Sequence, residues 1–288
     1  MAEGRAEVGG SLVPVVLCAD DYGLAPGVSA GIRELLDAGR LSATGAMTLS
    51  PHWAVEGPRL AAYGTRADLG LHLTLTDLAP LGAMPSLAPG GRLPALGTLI
   101  RRAYLGGLDG DEVAAELDRQ IAAFAHAVGR PPDFIDGHQH VHQLPGVRQA
   151  VLARAGALGP QAYVRYAVDG VGAILARGVA VVRALAIAAM GRAMAREGAR
   201  AGIPGPRVFR GVRDFTPGED VARLMPRFLA HPVPRMVLAC HPGRVDAALA
   251  ALDPVLAPRE AELAYLASPR FEADLAAAGA RLARFHGD

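Results

Sequence analysis

The chain has 288 residues, 51% of them hydrophobic and 20% charged, which excludes an unstructured tail protein and permits a sizeable buried core. Its net charge of +1, from 29 basic and 28 acidic residues, carries no electrostatic footprint for nucleic acid. Every basic residue is arginine, which removes lysine Schiff-base chemistry and the lysine of a phosphate-binding loop.

Two cysteines in a chain of this length point to a reducing compartment and not to a disulfide framework. The apolar run at 12–19 lacks a basic flank and runs into Asp20 and Asp21, so it does not read as a secretory leader. The most apolar long stretch, 171–190, contains Arg177 and Arg183. Each arginine would cost about 2.5–3.5 kcal/mol at a bilayer centre, so the stretch is not read as a spanning helix. The expected setting is the cytoplasm.

In chain order, residues 13–19 read as a strand, 26–38 as a helix with Pro26 in its first turn, 43–49 as a strand and 54–63 as a helix. A strand at 68–74 is followed by a long Pro- and Gly-rich loop at 79–99, and loops of that length in compact domains are often functional. The helix expected at 111–128 places Val113, Leu117, Ile121, Phe124 and Val128 on one face, with Asp111 as its cap. Then come a strand at 133–136, a helix at 146–157, a strand at 162–166 and a helical stretch at 174–201. A strand at 207–212, a helix at 218–230, a strand at 235–240 and a helix at 258–285 complete the pattern. Such alternation implies about seven parallel strands with helical crossovers, as an α/β barrel or an open doubly wound sheet. No composition shift divides the chain, which reads as one domain over residues 1–288.

The polar residues gather at strand ends. The first strand ends in Ala19-Asp20-Asp21-Tyr22-Gly23, the third carries His72, and the fourth ends in Asp136-Gly137-His138-Gln139-His140-Val141-His142. The fifth carries Arg165, and the last ends in Cys240-His241-Pro242-Gly243. In a parallel barrel these C-terminal ends converge on one mouth, where active sites are built. Taken singly, the aspartates could cap the next helix and His72 could be a core histidine. An extended segment would turn His138, His140 and His142 to the same side. Imidazoles with a carboxylate suit a hydrolytic divalent metal with an open coordination position. Cys240-His241 invites a thiol-nucleophile reading, set against a cysteine buried in an apolar strand. Neither a Gly-x-Ser-x-Gly elbow nor a Gly-x-Gly-x-x-Gly after a strand occurs.

With these residues the chain resembles the YdjC family of carbohydrate deacetylases, which includes chitooligosaccharide and hopanoid-associated deacetylases. The matching pieces are Ala19-Asp20-Asp21-Tyr22-Gly23-Leu24, Gly70-Leu71-His72-Leu73, Asp136 to His142 and Cys240-His241-Pro242-Gly243, with Arg259-Glu260-Ala261-Glu262-Leu263 and Tyr265-Leu266 near the end. The resemblance implies a distorted (β/α) TIM-like barrel, often dimeric, that removes acetyl groups from N-acetylated sugars with one divalent metal ion. By position, Asp21, His72 and His138 would be the metal ligands, Asp20 the general base and His241 the general acid, protonating the departing nitrogen from the opposite side. His140 and His142 are left to orient a ligand or touch the sugar, and with Arg165 they are the expected substrate contacts. Zinc suits the nitrogen ligands and magnesium the carboxylate and waters, and the sequence leaves both open.

Two departures stand out: Tyr22 where the family has phenylalanine, and an Ala- and Arg-rich helical insertion at about 171–204. Arg192, Arg196 and Arg200 recur every four residues there, and Leu175, Val179, Val182 and Leu185 supply an apolar side. The insertion reads either as a helix packed on the barrel or as an interfacial helix that brings a lipid-linked acetylated sugar to the mouth. Two other functions remain open at this point, another metal hydrolase acting on a phosphoester or a different amide, and a non-catalytic sugar-binding protein.

Overall fold

The computed structural model describes residues 12–216 and 218–287. Its elements run β1 (Val13–Tyr22), α1 (Pro26–Asp37), β2 (Ala43–Ala46), α2 (Trp53–Leu60), β3 (Asp68–Leu73), α3 (Leu96–Tyr104) and α4 (Gly110–Val128). They continue through β4 (Phe134–Gly137), α5 (Val147–Ala157), β5 (Tyr163–Val164), α6 (Val171–Arg177), α7 (Val181–Arg200) and β6 (Phe209–Arg210). The last are α8 (Val221–Leu229), β7 (Met236–Cys240), α9 (Ala247–Leu252), α10 (Ala257–Ala267), α11 (Pro269–Ala277) and β8 (Ala280–Leu282).

All strands pair in parallel, in the order β5-β4-β3-β2-β1-β7-β6, and β8 joins β1 at Val13–Val15. The seven expected strands are all present. Among the described residues β5 and β6 share no ladder, so the expected barrel is a curled half-barrel with an open seam. The reason lies in the flanking chain: Val164 N–H donates to the carbonyl of Pro204, and Phe209 N–H donates to that of Val168. These two isolated bonds join each edge strand to the chain flanking the other, in place of a β5–β6 ladder.

Alternation along each strand sorts residues to two faces. Val16 and Cys18 of β1 pack inward with Phe134, Tyr163, Phe209, Val237 and Ala239, while Leu17 and Ala19 pack outward against Val28 and Ile32 of α1. At the bottom Phe285 stacks on Tyr163, with centroids 4.0 Å apart, and Tyr163 stacks on Phe134 at 5.0 Å. There buried Asp68 accepts from Tyr163 Oη at 3.3 Å and from Arg284 Nε at 2.7 Å, closing the bottom, while the strand-end aspartates and histidines gather at the other end, the mouth.

Several local expectations are corrected. The helical stretch at 174–201 is two helices, because Gly178 adopts a left-handed φ of 62° that ends α6. The helix expected over 258–285 breaks at Ser268, held extended by the following Pro269, and the chain finishes as β8. Asp109, not Asp111, caps α4, accepting from the N–H groups of Asp111 and Glu112. The short helices α3 and α9 were not anticipated. The long loop is fastened to α4, whose Glu116 accepts from Leu81 N–H and whose Glu112 accepts from Ser86 and Leu87 N–H.

Helix α7 covers the seam. Its buried face is Ala184, Ile187, Ala188, Gly191, Met194 and Gly198, with Ile187 reaching the barrel interior beside Phe209. A methyl group on Gly191 would lie 2.4 Å from the carbonyl oxygen of Ala167. Of the expected basic stripe, Arg196 and Arg200 are exposed, whereas Arg192 donates to the carbonyl of Asp169. The expected apolar side is divided, for Val179 is buried while Leu175 and Val182 are 56% and 83% exposed. No helix among the described residues is long and apolar enough to cross a membrane.

Helix propensity alone would make Gly191→Ala stabilising by about 1 kcal/mol. The backbone carbonyl it meets cannot rotate away, so the expected net effect is destabilisation of about 1–3 kcal/mol. Gly172→Ala in α6, where nothing lies within 4 Å, should be neutral or stabilising by up to about 1 kcal/mol. Urea midpoints of the two variants check this pair of opposite signs.

Candidate active site

Strand alternation would send Asp20 and Asp21 to opposite faces. The structure avoids this with a bulge: between Ala19 and Tyr22 three steps of β1 oppose two of β2, and Asp21 takes a left-handed φ of 68°. Both carboxylates turn to the mouth, and both are buried, 3% and 1% exposed.

Asp21 meets His72 from β3 and His138 from the turn after β4. Its Oδ1 is 3.3 Å from His72 Nε2 and 3.0 Å from His138 Nδ1. One donor atom from each of the three residues falls within a 4.8 Å cluster. Ligand bonds of about 2.1 Å enclose donor separations of about 3.0–3.4 Å, which the two separations from Asp21 match. His72 is aimed for this: its Nδ1 bonds Asp136 Oδ1 at 2.7 Å, which leaves Nε2 toward Asp21. Burial by itself would raise the Asp21 carboxyl, but Arg259 and His138 outweigh it and hold the group well below the usual carboxylate range. A second cluster of Cys18, Asp20 and Asp136 does not suit an ion, since the Arg165 guanidinium lies against both carboxylates and burial pushes the Cys18 thiol up.

Arg165 grips Asp20 with a fork, donating from Nη1 to Oδ2 at 2.9 Å and from Nη2 to Oδ1 at 2.7 Å. Burial would raise Asp20, yet Arg165, with His72 and His241, keeps it below the ordinary carboxylate range. His241 follows β7, and its Nε2 lies 3.7 Å from Asp20 Oδ2. Burial pushes the His241 imidazole down to about 3, against the pull of Asp20 and Asp21. The two atoms stand at the C-terminal ends of the paired strands β1 and β7.

The three histidines after Asp136 do not line one face of an extended segment, and each has its own partner. Gln139 and His140 both adopt left-handed conformations, with φ of 53° and 61°, so the segment is a tight turn and not extended. His138 turns to Asp21, and half-buried His140 packs edge-on against Phe209 with centroids 5.5 Å apart. His142, wholly buried, bonds the carbonyl of Arg165 through Nε2 at 2.8 Å. Burial pushes His140 to about 4 and His142 to about 3, so both rings are neutral near pH 7. Arg165, only 2% exposed, is committed to Asp20 and Asp136, beneath the mouth instead of in it.

Sequence reasoning gave no role to four further residues. Asp136 stands two positions before His138 on the same strand face, a period that could have flagged it. Arg259 donates to Asp21 Oδ2 at 2.6 Å. Glu262, one turn along α10, accepts from His241 N–H at 2.6 Å and pairs with Arg213 at 3.1 Å. Phe215, with a left-handed φ of 54°, sets its ring perpendicular to His241 at 4.9 Å. Cys240 faces the outer layer, and burial drives its thiol well above the usual range, which removes the thiol-nucleophile reading.

A curled parallel α/β sheet with two carboxylates and several imidazoles at its C-terminal strand ends defines a half-barrel protein with a candidate metal centre at the mouth. The chain belongs to the YdjC-like protein family, whose profile matches residues 14–277. It is 40% identical over 146 residues to the chitooligosaccharide deacetylase of Serratia marcescens, covering 50% of this chain and 56% of that protein. A chitooligosaccharide deacetylase of Yersinia pestis (strain Pestoides F) is 39% identical over 144 residues, covering 49% of this chain and 55% of that protein. The matched segment thus spans about half the length of these curated relatives. A crystal structure from Enterococcus faecalis V583, provisionally described as a cellobiose-phosphate cleavage protein, superposes with a TM-score of 0.75 at 22% identity. It covers 96% of this chain and 98% of that one, a likeness of fold.

His138→Ala should abolish stoichiometric divalent-metal binding, read by metal analysis after dialysis, and retained stoichiometry would remove His138 from the ligand set. Native protein should resist iodoacetamide at both cysteines, with mass spectrometry showing alkylation only after denaturation.

Proposed function

We propose that this protein is a metal-dependent N-deacetylase that hydrolyses the acetamide of an N-acetylated amino sugar to acetate and the free amine. The grouping of Asp21, His72 and His138 beside an arginine-held Asp20 carries this reading. The deacetylase names of the curated relatives support it. A divalent ion, magnesium or zinc, held by Asp21, His72 and His138 would polarise the acetyl carbonyl and acidify a water.

The chain's own residues do the rest. Asp20, kept anionic by Arg165, accepts the proton of the attacking water. A proton at Asp20 Oδ2 has His241 Nε2 as a neighbouring acceptor 3.7 Å away, and His241 delivers it to the leaving nitrogen. Arg165 and His142 act by positioning, Arg165 through its fork on Asp20 and His142 through the Arg165 carbonyl. His140, half-buried against Phe209, is assigned to sugar contact. Both buried arginines at the site are committed to carboxylates, which favours a neutral acetamide over a phosphoester dianion. Free, buried Cys18 and Cys240 accord with a cytoplasmic site of action.

Acetate release from N-acetylglucosamine oligomers tests the reading, with p-nitrophenyl phosphate as the competing substrate. Asp20→Asn should lower kcat by roughly 10²–10⁴-fold with metal content unchanged. Faster turnover of the phosphoester would overturn the deacetylase assignment, and metal loss in Asp20→Asn would make Asp20 a ligand instead of the base.

A further inference from the structure

Arg259 is a buried cation that the proton path does not use. Its side chain, on α10, is 2% exposed, and Nη2 donates to Asp21 Oδ2 at 2.6 Å and to Asp253 Oδ2 at 2.5 Å. Its Nε donates to the carbonyl of Val255 at 3.1 Å, so the guanidinium plane is held at three points. The other oxygen of Asp21, Oδ1, faces both His72 Nε2 and His138 Nδ1. The carboxylate is therefore divided: one oxygen belongs to the arginine and one to the imidazole cluster.

We propose that Arg259 is a positioning residue of the metal centre: by occupying Asp21 Oδ2 it restricts this ligand to Oδ1 and so sets how tightly, and in what geometry, the ion is held. The inference rests on the metal reading above. A free carboxylate beside a cation can swing or bind through both oxygens, whereas one with an oxygen already bonded offers a single lone-pair direction. Partners behind a metal ligand typically account for 10–100-fold in affinity.

The competing explanation is that Arg259 only neutralises buried Asp21. Lysine distinguishes the two, because it keeps the charge but is a single point donor on a flexible stem and lacks the planar fork. Asp253 gives a second handle, since it contacts Arg259 and is not part of the site.

Wild type, Arg259→Lys and Asp253→Asn are each titrated with Co²⁺, following its visible d–d absorption, and each is melted by circular dichroism. Wild type should bind one Co²⁺, and Arg259→Lys should bind it about 10–100-fold more weakly with a shifted absorption envelope. An Arg259→Lys protein that melts like wild type and binds Co²⁺ with unchanged affinity and spectrum overturns the proposal. If Arg259→Lys does not fold, Asp253→Asn decides: weaker Co²⁺ binding supports the role, and unchanged binding overturns it. Failure of wild type itself to bind Co²⁺ brings down the metal reading, and this proposal with it, before any variant is compared.

Discussion

Two carboxylates adjacent in the chain are buried side by side at the mouth, and each has its own guanidinium. Removing a carboxylate from water costs several kcal/mol even after relaxation, and two of them in contact repel. The pair is made tolerable chiefly by Arg165, from the end of β5, and Arg259, from α10. Separate partners make separate environments. Asp20 is gripped by both oxygens of its carboxylate, while Asp21 is gripped by one and keeps the other for the imidazoles.

That asymmetry gives neighbouring, chemically identical residues different surroundings. It depends on the bulge in β1, because a regular strand would have left one carboxylate among the outer helices with Ala19. Asp136 then ties the two halves together, since it bonds His72 beside Asp21 and pairs with Arg165 beside Asp20. One carboxylate thus touches both the Arg165 fork and the His72 imidazole, so the groups around the two aspartates form one connected polar network.

The architecture was legible because its rules are local. Short β-branched runs alternating with helical periods specify parallel strands, and polar residues at the ends of such strands specify the mouth; Asp21, His72 and His138 do come together there. What the sequence hid was decided by conformations and partners without local signatures. Left-handed Asp21, Gln139 and His140 break the period-two rule at the very positions where it was applied, which joined the aspartates and separated the histidines. The two arginines lie 145 and 238 residues from the carboxylates they hold, so no spacing argument reaches them. The helix expected through 258–285 ends at Ser268, extended before Pro269, whose ring disfavours a helical conformation in the preceding residue.

The open seam links the least familiar segment of the chain to its chemistry. With β5 and β6 unpaired, Phe209 on β6 has no strand neighbour on that side, and α7 covers it through Ile187. Phe209 in turn lies under the Arg165 guanidinium, 5.5 Å from its ring centre, and packs against His140. The wall behind Arg165 is therefore a sheet residue, Phe209, backed by Ile187 of α7. Small residues at Gly191 and Gly198 let α7 approach closely enough for this, against Ala167 and Tyr166 in the chain just beyond β5. A bulkier residue at either notch would lift α7 away from Phe209 and loosen the packing that keeps Arg165 in register with Asp20, although α7 itself bonds neither carboxylate.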